Sequence, residues 1–182
     1  MDKDLKIKSE IMDKEAISRA LMRIAHEILE KNKGANNLAI VGIKKRGDIL
    51  AQRIAENIKK IEGISVPVGA IDITFYRDDY SISAKREATT TELNFNIDGK
   101  DIILVDDVLF TGRSTRAAMD VLIEYGRPKT IQLAVLVDRG HRELPIQANY
   151  VGKNVPTNKS EEIIFELGEE DKVYLAEKKG GK

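Results

Sequence analysis

The stretch that decides the fold is IILVDDVLFTGRST, residues 102–115. Its first four residues are apolar and predict a short buried strand over 102–105. Asp106 and Asp107 follow directly, and four residues after Asp107 the pair Thr111-Gly112 predicts a tight turn into a helix. The segment therefore brings two carboxylates and a glycine turn together at the carboxyl end of a strand.

The turn over residues 111–115 has the features of a phosphate-binding loop. Glycine permits a close backbone approach, hydroxyls and free amides are available, and the dipole of the following helix favours an anion. Asp106 and Asp107 would repel a phosphate, so they suit sugar hydroxyls, or magnesium through its water ligands. The alternative is that the aspartates only end a strand and Thr111-Gly112 only caps a helix. The occurrence of both at this spacing favours the functional interpretation.

The rest of the chain also alternates strands and helices. Asp13 is a suitable N-cap for a helix that is expected to reach about Lys33 and to end at Gly34. A second helix is predicted to close at Gly63, and a third at Gly126. Strands are predicted at 37–43, 66–75, 102–105, 131–137, 163–167 and 173–176. Short apolar strands between helices predict an α/β fold, a single domain over 1–182 with an open central parallel sheet flanked by helices.

Ligands in such sheets bind beyond the carboxyl ends of the strands. The loops after residues 43, 105 and 137 leave the predicted sheet at that edge. The sequence from residue 76 to residue 97 has no clear pattern and is rich in charged and hydroxyl side chains. A loop of this length inside a compact domain is typical of a functional lid or of a disordered insertion.

Composition limits the classes of function. The 182 residues include 30 basic and 30 acidic side chains, so nucleic-acid binding would need a local basic patch. The absence of cysteine excludes a disulfide framework, a thiolate metal site and a cysteine nucleophile. No apolar run is long enough to span a bilayer, and the N-terminus lacks the apolar segment of a secretory signal. We therefore expect a cytoplasmic location.

Residues 102–115 resemble the phosphoribosyl-pyrophosphate signature of type I phosphoribosyltransferases. The resemblance implies a small hood over the active site, formed mainly by residues 139–160 and the N-terminal residues. It implies that Asp106 and Asp107 contact the ribose 2′- and 3′-hydroxyls and that residues 111–115 bind the 5′-phosphate. It also implies Mg²⁺ as cofactor, bound through the substrate, with Asp106 and Asp107 as the protein groups that could contact it.

The resemblance extends to two further loops. Residues 42–47 (GIKKRG) look like the pyrophosphate loop, where main-chain amides and Arg46 would meet the leaving group. Residues 76–79 (YRDD) look like the start of the flexible lid, which adds Arg77 to the catalytic residues Asp106, Asp107 and Arg46. The other substrate-binding residues implied by these loops are Lys44, Lys45, Val108, Leu109, Phe110, Thr111, Gly112, Arg113, Ser114 and Thr115.

Four other stretches resemble one bacterial subfamily: DITFYRDD, GRPKTIQLAVL, LAVLVDRGHRELP and YVGKNVPT. Proteins of this subfamily bind messenger RNA to regulate pyrimidine operons by attenuation and are also uracil phosphoribosyltransferases. The likeness covers about residues 14–160. It implies that Val137, Asp138 and Arg139 lie near uracil. It further implies phosphoribosyl pyrophosphate as substrate, UMP and UTP as ligands, an operon mRNA leader as partner, and a homodimer or higher homo-oligomer.

An RNA surface needs exposed polar side chains, and the first helix has a suitable stripe. Arg19, Arg23 and His26 recur two residues out of phase with its apolar positions, so they face away from the core. Alone, the stripe would be an ordinary solvated helix face. The other RNA-binding candidates are His141, Arg142, Lys153 and Lys159. Two residues depart from the subfamily, because Lys45 and Met22 stand where threonine is common.

Three interpretations compete. The first is a uracil-using enzyme that also regulates transcription by binding mRNA. The second is a phosphoribosyltransferase for another base with no RNA role, which leaves the string RGHRELP unexplained. The third is an RNA-binding regulator that keeps the nucleotide site only as a sensor. The intact aspartate pair and loops count against the third, and the sequence therefore favours the first.

Overall fold

The computed structural model describes residues 5–74, 76, 91–166, 168 and 170–178. The expected start of the lid, from Arg77 onward, lies outside these ranges. The elements in chain order are β1 (Leu5–Met12), α1 (Lys14–Asn32), β2 (Leu38–Ile43), α2 (Gly47–Glu62), β3 (Val68–Ile71), β4 (Asp101–Leu109), α3 (Arg113–Tyr125), β5 (Thr130–Asp138), β6 (Tyr150–Asn154), β7 (Glu161–Glu166) and β8 (Lys172–Lys178).

The main sheet has five parallel strands in the order β3-β2-β4-β5-β6. Successive side chains of β4 point to opposite faces of the sheet, and their neighbours show that helices cover both faces. Ile103 and Val105 pack in a cluster with residues of α1 and α2, whereas Ile102 and Leu104 pack with residues of α3. The prediction of an α/β fold with helices on both faces is therefore confirmed.

The ends of α1 and α2 are formed by capping residues that can be recognised in the sequence. Asp13 caps α1, because its carboxylate accepts from the Ala16 amide at 2.7 Å. The chain leaves α1 through Lys33 in the left-handed region, and the Gly34 amide donates to the Leu29 carbonyl at 2.9 Å. Gly63, at φ 72°, ends α2 as expected.

Three strands of the main sheet, β3, β4 and β6, differ from the prediction. β4 continues to Leu109, four residues beyond the expected end, because β5 pairs with it through Leu109↔Asp138. β3 stops at Ile71, where the Asp72 carboxylate accepts from the Thr74 amide at 2.8 Å and turns the chain. Residues 150–154 were predicted to be irregular but form β6. A Cβ at Gly152 would lie 2.5 Å from the Leu136 carbonyl, so this strand needs glycine there.

A second, smaller sheet has the antiparallel order β1-β8-β7. N-terminal residues contribute to it through β1, whose partner strands lie at 161–178. Residues 150–154, part of the segment 139–160 expected in the hood, pair with β5 in the main sheet. Met12, Phe165 and Val173 of the small sheet pack with α1 and α2 in one core.

Within the part of the chain that the structure describes, no helix combines the length and the apolar character required to cross a membrane.

Candidate active site

A cavity of about 1050 Å³ opens at the carboxyl ends of β2, β3 and β4. Residues from three predicted site loops meet there, as the topology of a parallel sheet requires. The predicted residues that line it are Lys44, Lys45, Arg46, Asp106, Asp107, Val108, Leu109, Phe110, Thr111, Gly112, Ser114, Thr115 and Arg139.

The two aspartates are oriented by the backbone of their own strand. Asp106 Oδ1 accepts from the Asp107 amide at 2.9 Å, and Asp107 Oδ1 accepts from the Val108 amide at 2.8 Å. Asp107 Oδ2 lies 3.1 Å from Arg46 Nη1. The ion pair connects the loop after β2 with the aspartate pair.

Two helix N-termini meet at the cavity. α2 begins at Gly47, directly after the loop that carries Lys44, Lys45 and Arg46. α3 begins after Gly112, which has φ 93° and provides no capping side chain. Because a helix N-terminus favours negative charge, the site can bind two anionic groups, with the aspartates next to both.

The backbone of the loop after β2 is unusual. The Lys44–Lys45 peptide bond is cis, and Arg46 has φ 87°. Lys44 Nζ lies 2.6 Å from Glu92 Oε1, whereas Lys45 and Arg46 are exposed. A Cβ at Gly47 would lie 2.4 Å from the Val105 carbonyl, so only glycine lets this loop lie directly against β4.

Arg139 forms one wall of the cavity although it is only 5% exposed. Its guanidinium lies 4.0 Å from the centre of the Phe110 ring and donates to Thr157 Oγ1 and to the Glu161 carbonyl. Burial lowers the pKa of Arg139 from its usual value, although the charges of Glu162 and Glu161 oppose this. The side chain is thus fixed between β4 and the small sheet.

Three predicted substrate-binding residues do not line the cavity. Arg113 Nε donates to Glu143 Oε2 at 2.9 Å. Val137 is fully buried in the core. Asp138 accepts from the Gly140 amide at 3.0 Å and forms an ion pair with Arg142. The predicted catalytic residue Arg77 lies outside the described residues.

Sequence reasoning missed five residues that line the cavity: Asp72, Ile73, Thr74, Glu162 and Ile163. Residues 72–74 directly follow β3, so the rule that ligands lie beyond strand ends could have found them. Glu162 and Ile163 lie on β7 of the small sheet. No local pattern near them indicates that this sheet reaches the site.

The candidate RNA-binding residues fall into two groups. Arg19, Arg23 and His26 are exposed on α1, as predicted, and Lys153 and Lys159 are exposed as well. Arg23 also donates to the Gly152 carbonyl at 2.7 Å, and Lys153 Nζ donates to the Ile11 carbonyl at 2.9 Å. The stripe on α1 thus lies beside the edge strand β6.

His141 and Arg142 differ from the exposed group. Both are half-buried in the loop after β5. A ring nitrogen of His141 lies 2.6 Å from the Thr157 carbonyl, and Arg142 donates to the Phe110 and Ile146 carbonyls at 2.9 and 3.0 Å. Their polar atoms are engaged within the chain beside the cavity.

Comparison with known proteins agrees with this geometry. Residues 8–171 match the family model for the phosphoribosyl transferase domain. Bifunctional protein PyrR of Caldicellulosiruptor bescii is 62% identical over 153 residues, 84% of each chain. Bifunctional protein PyrR of Pelotomaculum thermopropionicum is 56% identical over 174 residues, 93% of this chain and 96% of that protein.

Solved structures show the same fold at low identity. A hypoxanthine-guanine phosphoribosyltransferase of Bacillus anthracis gives a TM-score of 0.64 at 22% identity, over 83% of this chain and 84% of that chain. A hypoxanthine phosphoribosyl transferase of Trypanosoma cruzi gives 0.67 at 19% identity, over 88% and 83%. The chain therefore belongs to the phosphoribosyltransferase family and, within it, to the group of bifunctional PyrR proteins.

Proposed function

We propose that the protein transfers the phosphoribosyl group of phosphoribosyl pyrophosphate to uracil, giving UMP and pyrophosphate. We further propose that it binds the mRNA leader of pyrimidine operons, depending on uridine nucleotides, and so regulates transcription by attenuation. One observation carries the enzymatic part: two helix N-termini and a pair of oriented carboxylates meet in one cavity. The word bifunctional in the names of its relatives supports a second activity.

Each part of the substrate has a matching part of the site. The 5′-phosphate binds to the amides and hydroxyls of residues 111–115 at the start of α3. Asp106 and Asp107 accept hydrogen bonds from the ribose hydroxyls. The pyrophosphate group lies against residues 44–46, where Arg46 and the N-terminus of α2 offset its charge.

The residues of the site fit magnesium that arrives with its substrate. Among the described residues, no group of three or more histidine, cysteine or acidic side chains could hold a metal ion alone. Magnesium usually keeps several waters and binds through one or two carboxylates and substrate phosphates, and Asp106 and Asp107 are the carboxylates beside the phosphate loop. Bound magnesium would neutralise negative charge on the leaving group.

The chemistry requires positioning and charge stabilisation. N1 of uracil attacks the anomeric carbon while the bond to pyrophosphate breaks and the leaving group takes the electron pair. The proton of N1 is released to solvent. Positive charge develops on the ribose ring, where Asp106 and Asp107 face it, and negative charge develops beside Arg46. Holding both reactants in one cavity supplies much of the remaining rate enhancement.

The base is expected beside Arg139, at the end of the cavity formed by β5 and the small sheet. Arg139 and Phe110 form this wall by stacking. Val137 and Asp138 end β5 directly before Arg139, and the Arg139 amide donates to the Leu109 carbonyl at 3.0 Å. These contacts favour a flat ring of limited size.

The RNA surface is proposed at the exposed α1 stripe and the neighbouring β6. A chain with no net charge can still bind RNA through such a local patch. Arg19, His26 and Lys153 are exposed there, and Arg23 also donates to the Gly152 carbonyl of β6. Lys159 is exposed in the segment between β6 and β7. We also propose a homodimer or higher homo-oligomer in the cytoplasm, which light scattering on a sizing column and cell fractionation would test.

A panel of bases tests the enzymatic part. The protein is incubated with phosphoribosyl pyrophosphate, magnesium and uracil, cytosine, hypoxanthine or guanine, and nucleotide formation is followed by chromatography. We expect product with uracil alone. Product with a different base would support the second interpretation, a phosphoribosyltransferase with no RNA role. If no base gave product, the third interpretation would remain, in which the site only senses nucleotides.

Filter binding with a stem-loop RNA tests the regulatory part. We expect UMP to change the RNA affinity of the wild-type protein. Arg19→Gln should weaken RNA binding. It should also reduce the slope of log RNA affinity against log salt concentration by about one. The matched control is Arg116→Gln, an exposed arginine on α3 that pairs with Asp120. Equal RNA affinity in both variants would place the interface elsewhere.

A further inference from the structure

The loop after β5 holds the phosphate loop from behind. The Arg139 amide and Arg142 Nη1 donate to the Leu109 carbonyl at 3.0 and 3.5 Å, and Arg142 Nη1 donates to the Phe110 carbonyl at 2.9 Å. The Thr111 carbonyl accepts from the amides of residues 143 and 144 at 3.0 and 3.2 Å. Three successive carbonyls are therefore fixed by one segment.

This pattern determines where the amides of the phosphate loop point. In a planar trans peptide, the carbonyl of one residue and the amide of the next point in opposite directions. The carbonyls of Phe110 and Thr111 face the loop after β5, so the amides of Thr111 and Gly112 face away from it, toward the cavity. β2 pairs with β4 only as far as Val105, which leaves that side open to a ligand.

Arg142 is the side chain that joins both loops. Besides the carbonyls of Leu109 and Phe110, its guanidinium donates to the Gly140 and Ile146 carbonyls at 3.2 and 3.0 Å and forms an ion pair with Asp138. These acceptors lie in several directions, which a planar guanidinium with five donors can satisfy and the single ammonium of lysine cannot.

Ile146 extends this support to the glycine of the phosphate loop. A Cβ at Gly112 would lie 3.3 Å from Ile146 Cβ, so the Ile146 side chain packs closely behind Gly112. Arg142 holds Ile146 in place through its carbonyl. The same arginine therefore fixes both the hydrogen bonding and the packing behind the phosphate loop.

We propose that Arg142 is a positioning residue for phosphoribosyl binding, which orients the amides of the phosphate loop, and that it is not an RNA contact. The inference rests on the proposed function, because it assigns the 5′-phosphate to residues 111–115. Arg142 does not itself touch the substrate in this proposal. Its effect is on the end of the cavity that binds the ribose phosphate, not on the end that binds pyrophosphate.

Calorimetric titration with two ligands tests the proposal without requiring turnover. Ribose 5-phosphate reports on the phosphate loop, and magnesium pyrophosphate reports on the loop at residues 44–46. In Arg142→Met we expect ribose 5-phosphate affinity to fall roughly 10- to 100-fold, as for a displaced positioning group, and pyrophosphate affinity to change less than about twofold. Arg142→Lys, which keeps the charge, should recover only part of the loss.

The control is Arg116→Met, which removes an exposed arginine of α3 and should leave both affinities unchanged. Unchanged ribose 5-phosphate affinity in both Arg142 variants, with or without weaker RNA binding, would overturn the proposal. An equal loss of affinity for ribose 5-phosphate and for pyrophosphate would also overturn the proposal, because it would show that Arg142 has a general structural role. If the wild-type protein bound no ribose 5-phosphate, the proposed function itself would fail, and this inference with it.

Discussion

At the residue scale, Asp106 and Asp107 are consecutive residues of one strand. Their side chains therefore point to opposite faces of β4. Asp107 is on the side of α2 and pairs with Arg46 at 3.1 Å. Asp106 shares the face of Leu104, which packs with α3. One carboxylate thus borders the pyrophosphate loop and the other borders the phosphate loop.

Replacing both carboxylates tests their role in the reaction. Asp106→Asn with Asp107→Asn keeps the side-chain volume but removes the charge that faces the ribose. We expect UMP formation to fall by at least about 100-fold, as when preorganised charge is removed from an active site. The melting temperature should shift by less than about 5 °C. The control is Asp120→Asn, a partly exposed acid of α3. Near-normal turnover in the double variant would contradict the role.

The positions of site residues could be predicted where they depend on local sequence. The aspartates, the glycine of the phosphate loop and Arg46 all lie next to strand ends that apolar runs reveal. The contacts of Arg142 could not be predicted, because its acceptors at Leu109 and Phe110 are more than 30 residues away in the chain. From sequence alone it was grouped with the exposed basic residues.

At the element scale, close contact between α2 and β4 shapes the site. A Cβ at Gly47 would lie 2.4 Å from the Val105 carbonyl, closer than real Cβ contacts. We expect Gly47→Ala to lower the free energy of unfolding by about 1–3 kcal/mol, as overpacking usually does. Urea unfolding would measure the change. Gly168→Ala, where a Cβ meets nothing within 4 Å, is the control. Equal stability of the two variants would mean that α2 does not pack closely against β4 at Gly47.

The ion pair between Arg53 of α2 and Asp171 joins the small sheet to the main body. Burial raises the pKa of Asp171, but hydrogen bonds from Arg53 and the Gly168 amide outweigh this, so the pKa lies below its usual value. A carboxyl group of this kind adds stability above its unfolded pKa of about 3.9 and loses that contribution as pH falls through its folded pKa.

Asp171→Asn should therefore lower stability by about 1–3 kcal/mol at pH 7, the cost of losing hydrogen bonds to a charged group. The difference from wild type should be the same at pH 5 and shrink only below about pH 4. Urea unfolding across this range would measure the difference, with Asp120→Asn, a partly exposed acid of α3, as the control. A difference that disappeared between pH 7 and pH 5 would contradict the assignment.

The helices and the parallel strands β2, β3 and β5 were predictable because their signals are local. The N-cap Asp13 and the terminator Gly63 act within one turn of their helices. β1 and the full length of β4 were not, because both depend on distant partners. Leu5 pairs with Lys178 at the other end of the chain, and no period within β1 indicates that partner.

At the scale of the whole molecule, the small sheet lines the cavity, and the α1–β6 surface is adjacent to β5, the strand that Arg139 follows. Glu162 and Ile163 of β7 line the cavity, and Arg139 bonds to the Glu161 carbonyl. Lys153 of β6, next to the proposed RNA surface, pairs in register with Val137 of β5. Nucleotide and RNA would therefore bind to neighbouring strands of the same sheet.

Linkage between these two sites has to be reciprocal. If saturating UMP changes RNA affinity by some factor, saturating RNA must change UMP affinity by the same factor, because both belong to one thermodynamic cycle. Filter binding gives the first factor and calorimetry the second. We expect both to lie between about 5 and 150 and to agree. An RNA affinity that UMP leaves unchanged would contradict nucleotide-dependent regulation.

The central claim is that the paired aspartates and the glycine turn behind them bind a phosphorylated ribose. Titration calorimetry with phosphoribosyl pyrophosphate and magnesium measures this directly. We predict saturable heat with one site per chain, and an affinity that falls at least about tenfold in the double variant Asp106→Asn with Asp107→Asn. Absence of heat at millimolar ligand, or equal affinity in the double variant, would contradict the claim.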